Sequence, residues 1–237
     1  MKFKNNKVIF IPNNKDTYDV IPSPKPSKKY IPKWYKDMPT EIINNNKKQL
    51  TAKKCMPFLD SLTSGYTQEL LCDIEIVPIK NGQNTYVNYK YATHMFKPLS
   101  IRNEDSNFSG AMPNFKGYYD IEFFWNSFWE PKTPPGYSTF YFHPANRFDL
   151  PFLTHNAIID TDKWPITGAV PFVIKEGFSG IIPAGTPIYQ MLFIKRDNWT
   201  SVLNRYDSTY DNKTRFEAFK FFQDGYKKSF WSKKEYN

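Results

Sequence analysis

Cysteine and glycine are scarce in this sequence, and long apolar runs are missing. Two cysteines in 237 residues, Cys55 and Cys72, are too few for a disulfide framework and leave no second pair to complete a zinc site. Reduced thiols are therefore expected. With only 10 glycines, and with no Gly-x-Gly-x-x-Gly, Gly-Lys-Ser/Thr or Gly-x-Ser-x-Gly motif, the chain is poorly equipped to cradle phosphates with its backbone. That argues against kinases, P-loop enzymes and dinucleotide oxidoreductases. No span approaches the roughly 20 apolar residues that cross a bilayer. The apolar run Val8–Pro12 behind the basic N-terminus is also shorter than a signal-peptide core. The expectation is a soluble chain with no signal peptide and no membrane partner.

What the sequence has is aromatic bulk. Hydrophobic residues make up 40% of it and aromatics 18%, including 21 Phe and 16 Tyr, enough to build one large β domain without metal or disulfide support. The formal charge of +9 favours anionic partners at long range, although many lysines, as in "NNNKK" (44–48), lie in polar stretches that read as solvated surface.

Three segments follow from the pattern. Residues 1–54 hold a short strand, Lys7–Ile11, and a stretch, Ile21–Pro39, whose five prolines argue against a regular helix or central strand. This stretch reads as an extended arm that docks through Tyr30, Trp34 and Tyr35. Residues 55–199 read as a β-rich core. Ile74 and Ile76 alternate with Asp73 and Glu75, and Asn81-Gly82 signals a hairpin to Thr85–Phe96. Further strands are predicted at Tyr119–Glu130, Tyr137–His143, Asn156–Asp162 and Ala169–Ile174. The two arms of "IIPAGTPIYQMLF" (181–193) complete the set, turning as a closing hairpin at Gly185. Residues 200–237 place Phe216, Phe219, Phe222 and Tyr226 at helical spacing, followed by a basic tail. The fold class is all-β, sandwich or barrel-like, with an N-terminal arm and a C-terminal helix that caps the sheet or a neighbouring subunit.

The densest polar stretch is "HPANRFDLPFLTHNAIIDTD" (143–162). His143, Asn146, Arg147, Asp149, Asp160 and Asp162 are its candidate ligand-binding residues, and Asp160 its catalytic candidate. His143, Asp149 and His155 match the count of an iron site, but the close His-x-carboxylate spacing is absent and His94 lies far upstream, so no metal is assigned. Cys72, within an apolar strand, reads as a buried structural thiol; Cys55, beside Lys53 and Lys54, is the more reactive. Alternation would point Asp160 and Asp162 the same way, where they line a wet cleft, pair with a cation such as Arg147, or perturb each other's pKa. Alternatively both belong to a strand-end turn next to Trp164-Pro165.

In order, "TSGYTQELLCDIEI" (63–76), "IIDTDKWPITG" (158–168) and "IPAGTPIYQMLF" (182–193) resemble the β-clip fold of dUTPases and dCTP deaminases. Gly65-Tyr66, Asp160, and the group Gly185, Ile188, Gln190 and Phe193 fall on the three family segments. The resemblance implies a dUTPase-like core and a nucleotide-handling enzyme in which Asp160 activates water and Arg147 lies near phosphate, with Mg²⁺ required only in that case. Thr67 replaces an expected Asp, Lys163-Trp164 replace the sugar-stacking aromatic, and the Gly-rich closing arm is missing. Across nearly its whole length the chain also resembles a family of unknown function from marine tailed phages and related bacteria, through "KPSKKYIPKWYKDMP", "KCMPFLDSLTSGY", "PPGYSTFYFHPANRFDLPF" and "IPAGTPIYQMLFIKRDNW". That likeness implies a viral setting, in host cytoplasm or virion. The expected function is a non-enzymatic β module acting in assembly or partner binding as a homo-oligomer or beside neighbouring viral proteins. A nucleotide-handling enzyme is the alternative, and an iron-dependent jelly-roll oxygenase the third.

Overall fold

The computed structural model describes residues 7–81, 84–91, 96–101, 113, 115–164, 168–221 and 224–237. In chain order the elements are β1 (Ile9–Pro12), α1 (Thr17–Val20), β2 (Lys25–Pro26), α2 (Lys33–Asp37), β3 (Glu41–Asn44), β4 (Lys47–Leu50), α3 (Met56–Thr63) and β5 (Tyr66–Glu69). They continue with β6 (Ile74–Asn81), β7 (Asn84–Tyr91), β8 (Leu99–Ile101), β9 (Phe123–Asn126), β10 (Trp129–Lys132), β11 (Tyr137–Phe142), β12 (Phe152–Thr154) and β13 (Ala157–Ile159). Then follow β14 (Ala169–Ile174), β15 (Gly180–Ile182), β16 (Pro187–Lys195), α4 (Ser208–Phe219) and α5 (Gly225–Ser229). The chain is mostly β-strand in several sheets. Contacts divide it into two discontinuous units, residues 1–27 with 65–196 and residues 28–64 with 197–237. This grouping differs from the three consecutive segments 1–54, 55–199 and 200–237.

The first unit is the β body. Its sheets run β13-β11-β16-β5-β2, β12-β14-β9-β8, β15-β6-β7 and β1-β10, and every pairing is antiparallel. Alternation decides the faces: Ile74 and Ile76 are buried around exposed Glu75, as expected, and Phe123 and Trp125 are buried on β9. β16 is central in its sheet and buried without alternation from Pro187 to Met191, as a strand covered on both faces must be. In the core Trp125 stacks on Phe172 at 3.6 Å between ring centroids, with Phe123 and Phe152 packed around them. Burying each such side chain stabilises the fold by about 1.5–3 kcal/mol. One polar chain within this core is fully paired. The indole of Trp125 donates to Thr154 Oγ1 (3.2 Å), and Thr154 donates to the carbonyl of Ile188 (2.6 Å), which ties two sheets through one hydroxyl.

Several local expectations change. Tyr119–Glu130 is not one strand: Ser127 and Phe128 interrupt it, so β9 stays in the four-stranded sheet while β10 pairs with β1. Nor is the corner in "IIPAGTPIYQMLF" a hairpin. β15 pairs with β6 and β16 with β11 and β5, so Pro183–Thr186 carries the chain from one sheet to another. Gly185 (φ +79°) sits at the third position of a turn closed by Thr186 N–H to Pro183 O, where φ must be positive. The corner is clamped from outside. Leu70 exchanges backbone bonds with Gly185 and Thr186, and Asp73 Oδ1 accepts from Ala184 N–H (2.7 Å). Cys72 lies in the bend between β5 and β6, half-buried, rather than within a strand. Of the hairpin signal, Asn81 pairs with Asn84; Gly82 lies outside the described residues.

The second unit gathers residues 28–64 and 197–237. The proline-rich stretch does form helix: Lys33–Asp37 is one turn, started by Pro32, whose missing N–H costs nothing at that position. Tyr35 is buried and stacks on Phe58 of α3 (5.7 Å, 17°), and Lys53 lies over its ring while donating to the carbonyls of Tyr35 and Lys36. Asp60 accepts from Trp231 Nε1 (2.9 Å) and Lys234 Nζ (2.6 Å), which joins the two stretches of sequence. β3 and β4 form a separate two-stranded ribbon, turned at Asn45 and Asn46, both with positive φ. The expected C-terminal helix is present but divided. α4 ends at Phe219 and α5 restarts after Asp224, whose φ is +61°. Phe216 and Phe219 are exposed rather than packed, and Phe222 lies outside the described residues.

Candidate functional site

The six candidate side chains form two separate groups at opposite ends of β11. At its start, Asp160 and Asp162 belong to the turn after β13, in which Lys163 and Trp164 N–H both donate to Asp160 O. This is the strand-end turn, and the strand alternation that would align the two carboxylates does not extend to them. Both nevertheless meet one cation, and it is Arg196, just past β16, rather than Arg147. Asp162 pairs with the Arg196 guanidinium and accepts from Gly136 N–H (2.9 Å), with its side chain 7% exposed. Asp160, 50% exposed, lies 3.2 Å from Arg196 and accepts from Ser138 Oγ (2.7 Å). The Arg196 hydrogen bond holds the Asp162 carboxyl down at about 2, although burial opposes it. Beneath the turn Thr161 is buried, its hydroxyl bonded to Thr133 (2.9 Å) and Thr139 (2.8 Å).

At the other end His143 follows β11. Its Nδ1 accepts from Thr154 N–H (3.2 Å), so the neutral ring carries its proton on Nε2, which donates to Arg147 O (3.1 Å). Both ring nitrogens are thus engaged, which leaves no lone pair for a metal. Burial pushes the His143 pKa below its usual value, with the Arg147 carbonyl opposing and nearby Lys175 and Arg147 assisting. Arg147 grips Asp149 with a forked pair of bonds, Nε to Oδ1 at 2.9 Å and a terminal nitrogen to Oδ2 at 2.8 Å. Asn146 holds the turn between them with φ +57°, a conformation asparagine tolerates, and Ala145 N–H donates to buried Gln190.

Ser138 and His143 are five residues apart on an extended chain, about 17 Å at strand spacing. The candidates therefore do not converge on one cleft. Only Arg147 and Asp149 line the open groove of about 790 Å³ that passes Lys175, Phe178, Ile182 and Gly185. The ring of His155 packs edge-on against Phe115 at 5.0 Å, and burial lowers its pKa with Glu122 opposing. His94 lies outside the described residues. Among the described residues no three of His, Cys, Asp and Glu gather as a metal would require. Cys55 is exposed at the start of α3. Sequence reading missed Arg196 and Ser138. The available signal was the cation immediately after the apolar run "YQMLFIK", in the strand that neighbours β11.

The larger exposed feature is the second unit. Among the described residues, 14 of the chain's 25 exposed large hydrophobic side chains belong to it, against two of its buried ones, Tyr35 and Leu62. Trp199 is 90% and Leu203 100% exposed, on a stretch without helix or strand between β16 and α4. No helix among the described residues is long and apolar enough to cross a membrane. No protein-family model and no curated protein matches the chain.

Proposed function

We propose that the chain is a binding module rather than an enzyme: the β body is the scaffold, and residues 28–64 and 197–237 engage a partner during assembly. The carrying observation is the second unit's apolar balance. A unit of 78 residues with, among its described residues, two buried apolar side chains and 14 large exposed ones has little core of its own, and its surface is of the kind that partners cover. The β3–β4 ribbon adds to this. Two-stranded ribbons are marginal alone, and this one exposes Ile42, Ile43 and Leu50. Catalysis has less to rest on, because Asp160 and His143 are held in local bonds at opposite ends of a strand. The phage-family resemblance supplies a viral setting for the assembly role.

The β-clip reading of the body draws support from one sheet. Tyr66 pairs with Met191, β16 with β11, and β11 with β13, so the three resembling segments meet in the strand order β13-β11-β16-β5.

The test replaces Trp199, Leu203, Phe216 and Phe219 together by Ser. If these side chains serve a partner, the variant keeps a urea midpoint close to that of the parent and binds less of a dye that reports exposed apolar surface. Core residues would each cost about 2–5 kcal/mol. A collapse of that size removes the proposal.

A further inference from the structure

Charge is divided between the two units as unevenly as apolar surface is. The β body carries sixteen Lys and Arg against fourteen Asp and Glu, a net +2, whereas the second unit carries sixteen against nine, a net +7 in a third of the chain. Its acids are mostly consumed locally: Asp37 by Lys33, Glu41 by Lys48, Asp211 by Arg215, Glu217 by Lys220 and Asp60 by Lys234. Lys213, Lys227 and Lys228 have no acidic partner among the described residues. Like charge disfavours a second copy docking unit to unit, because two such surfaces repel.

The cations are interleaved with rings, of which Phe221 is exposed and Trp231 half-buried. Lys228 Nζ lies 4.7 Å and Lys220 Nζ 5.4 Å from the centroid of Phe221, and Lys234 Nζ 5.7 Å from that of Trp231. On α4, Lys213 is one turn from Phe216, and Arg215 one turn from Phe219. Single rings set among cations suit stacked bases beside a phosphate backbone. An anionic membrane surface would instead need one broad apolar helix face, and α4 has none, since Lys213 and Arg215 lie among its aromatics and Lys220 closes it.

We propose that the partner of the second unit is single-stranded nucleic acid, with Phe216, Phe219 and Trp199 as stacking platforms and Lys213, Lys227 and Lys228 as phosphate contacts. This rests on the binding-module reading and names its partner class.

The experiment follows the anisotropy of a fluorescent oligothymidylate of about 20 nucleotides, a length that spans several binding sites of this kind, titrated with the full chain. Binding is expected at low salt and should weaken at least about tenfold between roughly 50 and 200 mM KCl, as release of several counterions requires. The triple variant Lys213→Glu, Lys227→Glu, Lys228→Glu should weaken it by at least about tenfold, since three phosphate contacts are reversed. Phe219→Ala should weaken it several-fold with the salt dependence unchanged, and a duplex of equal length should bind less well. Both variants must keep the parent's urea midpoint. Absence of binding at low salt, or binding equal for duplex and indifferent to Phe219, overturns the proposal. So does binding to vesicles of phosphatidylcholine with phosphatidylserine but not to the oligonucleotide. If the oligonucleotide does not bind and the fourfold Ser variant stays folded, only the nucleic-acid assignment falls; if that variant unfolds, the binding-module reading falls with it.

Discussion

A Cβ built on Gly65 would lie 2.0 Å from the carbonyl oxygen of Met191. The two backbones meet where β5 and β16 pair, and Gly65 also has φ +77°, so both space and conformation demand glycine there. Gly65→Ala must push β5 off β16 or strain the turn before it. We expect a loss of about 3 kcal/mol or more in urea denaturation, the range of severe backbone conflicts. An unchanged midpoint would mean that the strands do not approach so closely.

Asp162 and Asp160 share Arg196 but differ in burial, which makes their substitutions unequal. Asp162→Asn weakens a nearly buried, charged hydrogen bond and should cost about 1–3 kcal/mol. Asp160→Asn, at a half-exposed site, should cost less than about 1 kcal/mol. The pH dependence has a definite sign. The Asp162 carboxyl is lowered from 3.8 to about 2, so the native state holds fewer protons there than the unfolded chain does. Its stabilisation is complete above pH 4 and is lost as pH falls towards 2. Urea midpoints at pH 5, 4 and 3 should converge for parent and Asp162→Asn; parallel profiles would contradict the pairing.

Where alternation or turn chemistry acts locally, the sequence was readable. Ile74 and Ile76 face the core, Ala169–Ile174 is a strand to the residue, and Gly185 takes the turn its position implied. Partner choice was not readable. Nothing in "IIPAGTPIYQMLF" says that its arms join different sheets, because that depends on Leu70 and Asp73, more than 100 residues away. Likewise "DIEFFWNSFWE" is uniformly strand-like, and only the pairing of Trp129 with Pro12 shows that it breaks. At the site, a shared cation such as Arg147 was one of several readings open to the Asp160–Asp162 pair, and the cation it meets is Arg196. Arg196 is nearer in space, because β16 lies beside β11.

His143 is a half-buried base whose protonation opposes folding. Its neutral ring is fixed by Thr154 N–H at Nδ1, a bond that a protonated ring cannot accept. Its folded pKa therefore lies below that of the unfolded chain. The stabilisation is complete above the unfolded value, near 6.5, and declines as pH falls through the folded pKa. His143→Gln can keep an acceptor and a donor, and it should flatten the stability profile between pH 7 and 5. A profile as steep as the parent's would assign that slope to another group.

Thr154 offers the sharpest test of core polarity, because one hydroxyl accepts from Trp125 and donates to Ile188. Thr154→Val keeps the shape and removes the oxygen, which leaves a buried indole N–H and a carbonyl without this partner. The expected cost is about 2–4 kcal/mol, from two groups at roughly 1–2 kcal/mol each. Thr154→Ser keeps the oxygen and loses only a methyl, at about 1 kcal/mol. A shifted indole N–H resonance of Trp125 in Thr154→Val but not in Thr154→Ser would localise the loss. If Ser proved the costlier change, packing of the methyl rather than the hydroxyl bridge would be what joins the two sheets at this point.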